Sequence, residues 1–418
     1  MRYLSRTMCF TLLTIFLTGC LGSLNPMKLP EKFQTATYKP TGVNEKFSIK
    51  GKDFAAYVLE TKEMIKSGRK IGQSPFQSEA AIKGNAPQEI IPANVRQGET
   101  NAYRDAVILI HSLQGSPFEM KELAMKFARK GMVVRTILLP GHGTVPGDLT
   151  NVRYSDWNKA VDFVVKDTLK IADNVHIAGY STGGGLAVQK AYEYPVKSLL
   201  LFSPLIEINS NLEQLTPLVA SAGKIFSTAK WEALDIETNP YKYRSNTFQS
   251  VAQVYKLQKK IGSLKKTPLN IPVFIAAPLD DIIVDTNVTL DFFRNNTHQD
   301  STMTVYAHTQ FKTNDSRIRV VNASIPSKRI LNLSHVGMTS SPNNPVYGRT
   351  GSVKSCSAYN DKPEMLRLCK TAPSHTVFFG GKNMIKEDDK RIVRRITFNP
   401  YFSQMLTSID RFLTSIDS

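Results

Sequence analysis

Ser181 stands in the stretch "NVHIAGYSTGGGLAVQKA", Asn174 to Ala191, between Gly179 and Gly183, after a short apolar run and before residues that suit a helix. A hydroxyl at a sharp strand-to-helix turn is held clear of the backbone, and the residues two away on either side must then lack a Cβ. The same glycines would serve plain close packing, but the strand, turn and helix together favour a nucleophile. A serine hydroxyl needs a base to take its proton and a carboxylate to hold that base in the right tautomer. After an elbow of this kind the acid and then the histidine follow in chain order. The downstream histidines are His298, His308, His335 and His375. His335 directly follows the apolar run "RILNL", where a last strand would deliver a loop to the site, and is the candidate base. His298 sits in polar "NNTHQD" and His308 in a strand-like run, which suits surface or structural roles, and His375 is held in reserve. Three acids, Asp280, Asp281 and Asp285, follow another apolar run in "AAPLDDIIVD". An acid there without a catalytic role would cap the next helix.

The elements that must position these side chains are legible as alternating patterns. "DAVILIHSL" is a continuous apolar run, as in a strand buried on both faces of a parallel sheet. "SPFEMKELAMKFARKG" follows, with Ser116 as N-cap, Pro117 at the first helical position and Gly131 as the stop. "MVVRTILLP" and "NVHIAGYS" flank a second helix, with Ser155 as cap and Trp157, Ala160, Val161 and Val164 at helical spacing. Further strands are expected in "VKSLLLFSP", "IPVFIAAPLDD" and "SKRILNLSHVG". A final amphipathic helix begins at Asn399-Pro400, with Phe402, Met405, Leu406, Ile409, Phe412, Leu413 and Ile416 on its apolar stripe. Strand and helix alternate, so residues 101–418 are expected to form an α/β domain around a mostly parallel, doubly wound sheet. Insertions interrupt it at 207–270, expected to be mostly helical, and at 295–326 and 339–398, expected to be less regular. Residues 20–100 are polar and weakly periodic, which reads as a tether and a loosely packed N-terminal extension.

With 41% apolar and 21% charged residues in 418, the chain has the composition of a folded protein. Its formal charge of +18 could favour nucleic acid or an anionic membrane. No block of five or more Arg and Lys occurs and no basic motif is interleaved with aromatics, so the charge reads as dispersed and no nucleic-acid partner is expected. Arg2 and Arg6 precede "TMCFTLLTIFLTG", 13 residues that are too few to span a bilayer and suit the apolar part of a secretory signal, here 1–19. The ending "LTGC", Leu17 to Cys20, resembles the bacterial lipoprotein processing box. That resemblance implies cleavage before Cys20 and acyl chains on it, a stable membrane anchor in the bacterial cell envelope. Leu21 rather than an acidic residue leaves the outer membrane as the default; an ordinary cleaved leader is the rival reading. Cys9 leaves with the leader. Cys356 and Cys369 remain as a pair in an oxidising compartment, where a bridge would be worth about 3 kcal/mol. Two buried free thiols are the alternative, and nothing around them resembles a zinc site.

From Asp105 onward, "IHSLQGSP", "LPGHGTVPGDL", "SDWNKAV", "GYSTGG", "LDDIIV" and "LNLSHVG" resemble the α/β-hydrolase superfamily, most closely its carboxylesterase and monoacylglycerol lipase branch. The resemblance implies a Ser181, Asp281, His335 triad, with Asp281 preferred because it stands three residues before Val284. It also implies an oxyanion hole from the Leu113 and Thr182 amides, with Ser112 standing where relatives carry glycine, and an architectural role for His142. The insertion after Pro204 occupies the place of a helical cap, and Leu212, Leu215, Leu218, Val219, Ile225 and Phe226 could line an acyl pocket or pack the cap on the body. A membrane-anchored serine esterase needing no metal or organic cofactor is expected, acting on small-molecule or lipid esters such as monoacylglycerol or lysophospholipid. A non-catalytic binding module on the same fold, or an acyltransferase using the same acyl-enzyme, are the alternatives.

Overall fold

The computed structural model of the chain describes residues 29–209, 230–385 and 390–417. The signal segment, Cys20, the cap leucines named above and their neighbours Val219, Ile225 and Phe226 lie outside those residues. The segment before the domain packs more firmly than its polarity suggests. It forms helices α1 (Phe54–Ile71) and α2 (Glu79–Asn85), capped by Asp53 and Ser78, and α1 buries Phe54 and Tyr57 in the main core. Short β1 (Glu89–Ile90) then joins the central sheet.

The apolar runs become the central strands. β2 (Tyr103–Ile110) precedes α3 (Lys121–Arg129), and β3 (Val133–Ile137) precedes α4 (Tyr154–Thr168). β4 (Ala172–Tyr180) leads through the Ser181 turn into α5 (Thr182–Glu193), and β5 (Ser198–Phe202) follows. A small antiparallel pair, β6 (Trp231–Ala233) and β7 (Asn246–Thr247), comes before α6 (Phe248–Leu264). β8 (Val273–Pro278), α7 (Thr286–Asn296), β9 (Thr302–Ala307) and β10 (Ile318–Asn322) complete the sheet. Its order is β1-β3-β2-β4-β5-β8-β9-β10, parallel throughout except for β1. Beyond it come α8 (Pro363–Thr371), the parallel pair β11 (Phe378–Gly380) and β12 (Val393–Arg395), and α9 (Phe402–Asp417).

Side chains alternate across a strand, so each face of this sheet needs its own cover. Ala106, Ile108 and Ile110 of β2 pack with α4, α5, α6 and α7 on one face; Val107 and Leu109 pack with α3 and α9 on the other. Five side chains of α9, Phe402, Met405, Ile409, Phe412 and Leu413, are buried. At about 1.5–3 kcal/mol per large apolar side chain, the gross gain from that stripe is on the order of 10 kcal/mol, enough to fix the helix on the sheet.

Four sequence expectations are corrected. "RILNL" is not a sheet strand: Ile330 makes isolated bridges to Ile325 and Phe379 and packs into the insertion instead. The last strands of the sheet are β9 and β10, inside the stretch read as irregular, because β10 is an edge that buries only Ile318 and lacks a continuous apolar signature. Ser155 lies within the first turn of α4 rather than capping it; the Tyr154 amide is satisfied by the Gln253 side chain at 3.0 Å. The Ser116 hydroxyl donates to the Tyr241 carbonyl at 2.8 Å instead of capping, and the first turn after it is a 3-10 helix.

Candidate active site

Ser181 adopts φ 54° and ψ −117°, a conformation that a non-glycine residue holds only under constraint. The constraint is visible on both sides. A Cβ on Gly179 would lie 2.4 Å from the Gly183 carbonyl oxygen, and one on Gly183 would lie 2.3 Å from the Ile110 carbonyl oxygen. The Ser181 amide donates to Phe202 O at 3.0 Å, and its carbonyl accepts from Gly185 N and Leu205 N. The elbow is thus pinned between β2, β5 and α5.

Three residues distant in sequence converge there. His335 Nε2 accepts from the Ser181 hydroxyl at 2.8 Å, and its Nδ1–H donates to Asp281 Oδ2 at 2.7 Å. Asp281 Oδ1 accepts from the amides of Ile283 at 2.8 Å and Val284 at 3.2 Å, so both carboxylate oxygens are engaged. Tyr180 stacks on the imidazole at 5.7 Å and donates its hydroxyl to the His335 carbonyl at 2.7 Å. All three residues are buried, which strengthens each charge-assisted contact relative to water. The neighbouring acids are occupied elsewhere: Asp280 pairs with His308, and Asp285 caps α7 through the amides of Asn287 and Val288. His298 pairs with Asp300 at 3.3 Å, and His375 is exposed beyond the cysteine loop.

The loop after β2 carries Leu113. Among the described residues neither the Leu113 amide nor the Thr182 amide has a protein acceptor, and the clash of a Gly183 Cβ with Ile110 O and His111 O shows how closely that loop abuts the elbow. Two buried histidines shape it. His111 Nε2 accepts from Leu139 N and His142 Nε2 accepts from Gln114 N, each at 3.0 Å, so both rings are neutral with the proton on Nδ1. Burial holds both imidazoles down to about 3. His142 therefore acts as architecture, fixing Gln114 at φ 65° one residue past Leu113. Ser112, in place of a glycine, is explained by a buried cluster: its hydroxyl donates to Glu119 at 2.7 Å, and Lys242 Nζ reaches Glu119 at 2.6 Å and Ser112 at 3.0 Å. Nothing in the sequence pattern reveals that cluster, because Lys242 stands 130 positions from Ser112.

The C-terminal insertion supports the histidine. Cys356 and Cys369 form a disulfide. Ser334 Oγ donates to Ile396 O at 3.2 Å, Leu331 N donates to Phe379 O at 2.8 Å, and Asn332 Oδ1 accepts from Gly381 N at 2.6 Å. A separate cleft of about 1250 Å³ between the N-terminal extension and the body is lined by Tyr57, Met64, Leu139 and Val152 but by none of Ser181, Asp281 or His335. Among the described residues no group of three or more His, Cys, Asp or Glu side chains is arranged to hold a metal ion.

A family model described as Hydrolase_4, serine aminopeptidase S33, matches residues 101–310, half of the chain. The chain belongs to the serine aminopeptidase S33 family. This S33-family hydrolase has the α/β-hydrolase fold, and the matched span contains Ser181 and Asp281 but ends before His335 and the disulfide-bearing insertion. It is 30% identical over 89 residues to the thermostable monoacylglycerol lipase of Bacillus sp. (strain H-257), covering 21% of this chain and 36% of that relative. The match therefore spans about a third of the curated relative's length. Similar solved structures include the monoacylglycerol lipase of Paleococcus ferrophilus, with a TM-score of 0.42 at 16% identity over 53% of this chain and 88% of that one. Est1E of Butyrivibrio proteoclasticus follows, with a TM-score of 0.38 at 14% identity over 53% of this chain and 84% of that one.

Proposed function

We propose that this S33-family protein is a serine hydrolase cleaving carboxylic esters through Ser181, His335 and Asp281. The observation that carries the reading is the continuous chain from Ser181 Oγ to His335 Nε2 at 2.8 Å and from His335 Nδ1 to Asp281 Oδ2 at 2.7 Å. As Ser181 Oγ attacks the ester carbonyl, its proton moves to His335 Nε2, and the Asp281 carboxylate stabilises the resulting imidazolium. The oxyanion of the tetrahedral intermediate is received by the Leu113 and Thr182 amides. His335 then returns the proton to the leaving alcohol, and water repeats the sequence on the acyl-enzyme with the histidine again as base. Monoacylglycerol-type esters fit the kinship with a monoacylglycerol lipase, and a lipid anchor at Cys20 in the bacterial cell envelope would bring the site to such substrates.

A fluorophosphonate probe should label Ser181 in the folded protein, and Ser181→Ala should lower turnover of an acyl ester series by at least about 1,000-fold. Turnover near that of the parent in the variant would move the nucleophile elsewhere. Mass spectrometry of the mature N-terminus tests the anchor: an unmodified or uncleaved Cys20 would remove it.

A further inference from the structure

We propose that Arg395 receives a phosphate or carboxylate carried by the substrate, making the site selective for anionic esters; the inference rests on Ser181 being the nucleophile. Successive residues of a strand point to opposite faces. On β12, Arg394 spends its guanidinium on the disulfide side, with Nε to Cys369 O at 2.7 Å, Nη1 to Ser374 Oγ at 3.1 Å and Nη2 to Ala372 O. Arg395 takes the other face, where its charge acts on Tyr180 and Asp281, the residues packed on and bonded to His335. The strand is held there by its backbone: Ile396 N donates to Gly380 O at 2.9 Å, and Ile396 O accepts from Ser334, the residue before His335.

Arg395 Nε and Nη2 are shut off from solvent and have no protein acceptor, although the residue as a whole keeps partial exposure. Asp281 does not serve as that acceptor: its oxygens accept from His335, Ile283 and Val284, and neither Arg395 nitrogen bonds to it. The other cation near Tyr180, Lys242 at 5.9 Å from the ring, is by contrast neutralised by Glu119. A second unused donor borders the neighbouring strand β11. Asn332 is fully buried, its Oδ1 is taken by Gly381 N, and its Nδ2 has no acceptor; Gly381 adjoins Gly380, the register partner of Arg395. Donors without acceptors around the β11 and β12 pair call for an acceptor-rich group, and a planar guanidinium matches phosphate or carboxylate with two parallel hydrogen bonds.

The test compares matched substrates on the parent, Arg395→Gln and Arg395→Lys proteins: a 1-acylglycerol with its 3-phosphate, and a p-nitrophenyl butyrate with the p-nitrophenyl monoester of glutaric acid. The anionic-to-neutral ratio of kcat/KM should fall at least about 10-fold in Arg395→Gln, through KM, and less in Arg395→Lys, which keeps charge without the fork. A ratio unchanged across the three proteins overturns the proposal. So does an equal loss on both members of a pair with a shifted pH profile, which marks a counter-charge for Asp281 and nothing more. Which anionic member depends more on Arg395 distinguishes phosphate from carboxylate. Fluorophosphonate labelling separates the two levels: an unlabelled parent sinks the hydrolase reading, whereas labelled variants with a flat ratio sink only the role of Arg395. Should Arg395→Gln not fold, inhibition of the parent by decyl phosphate, decanoate and decanol decides. The anions should inhibit at about 10-fold lower concentration and lose that advantage in high salt, and equal inhibition by the alcohol overturns the proposal.

Discussion

Replacing Asp281 by asparagine should cost far more activity than replacing Asp280, and the structure says why. Asparagine keeps the size of the side chain but turns one acceptor into a donor. At position 281 the Ile283 and Val284 amides both need an acceptor, which fixes the asparagine oxygen towards them and its NH₂ towards His335. A donor facing Nδ1 drives the imidazole proton to Nε2, where it points at the Ser181 hydroxyl and blocks proton transfer. The reverse rotamer sets NH₂ against two backbone N–H groups, so it gives no escape. A wrong tautomer at a serine triad lowers kcat by about 10⁴-fold, equivalent to about 5.5 kcal/mol of transition-state stabilisation. Asp280 faces His308 instead, and Asp280→Asn should stay within about 3-fold of the parent, since surface substitutions away from the reacting groups are usually worth no more than about 0.5 kcal/mol. The assay is kcat on a p-nitrophenyl ester for both variants, with matched thermal unfolding curves. Equal losses, or a larger loss at 280, would refute the assignment of the acid.

Three further outcomes are expected. Gly183→Ala should destabilise the protein by at least about 2 kcal/mol in denaturant unfolding, because its Cβ meets Ile110 O at 2.3 Å and His111 O at 2.6 Å; an unchanged midpoint would contradict that packing. His111 and His142, held down to about 3 by burial, contribute stability that is full above their ordinary value near 6.5 and is lost as pH falls towards 3, by about 1.4 kcal/mol per pH unit for each. Burial pushes Glu237 up to about 7, so its contribution is present below about 4.5 and lost as pH rises, which offsets one imidazole between about 4.5 and 6.5. Glu237→Gln should therefore make Tm fall more steeply than in the parent as pH is lowered through that window, and parallel curves would disprove the compensation. The paired Cys356→Ser and Cys369→Ser substitution, opening a loop of sequence separation 13, should cost about 3 kcal/mol of stability and lower kcat; parental kcat at full occupancy of the fold would detach the insertion from the site.

The elbow was legible in the sequence because its demand is steric and local: two positions cannot carry a Cβ, and both are glycine. The choice between Asp280 and Asp281 rested on resemblance rather than on the residues, since adjacent carboxylates are chemically alike and differ only in which histidine each faces. β9 and β10 escaped notice for a different reason. "TMTVYA" and "IRVVN" mix threonine, tyrosine and arginine with aliphatics, and the second buries only Ile318 at an open edge, so neither presents the unbroken apolar run of a central strand. The Ser112, Glu119 and Lys242 cluster lay beyond reach because a buried ion pair has no periodicity, and its lysine comes from the far side of the interval that begins at Pro204.

"RILNL" misled in an instructive way. Its apolar residues are core residues, but they serve two cores: Ile330 packs with Val377, Phe379, Ile396 and Phe398, whereas Leu333 packs with the α3 and α9 face of the sheet. The run is thus a bridge between the insertion and the body, and the support a sheet strand would have given His335 comes from β11, β12 and the segment after them. Phe398 closes over Gly337, where a Cβ would lie 2.8 Å from the Phe398 carbonyl oxygen, and the Ile396 carbonyl accepts from Ser334, the residue before His335. Because Arg394 ties that same segment to the Cys369 carbonyl, the disulfide loop and His335 share one short stretch of backbone. A rearrangement of 356–398 therefore has a direct route to the imidazole, and the neighbouring side chain on that stretch is Arg395.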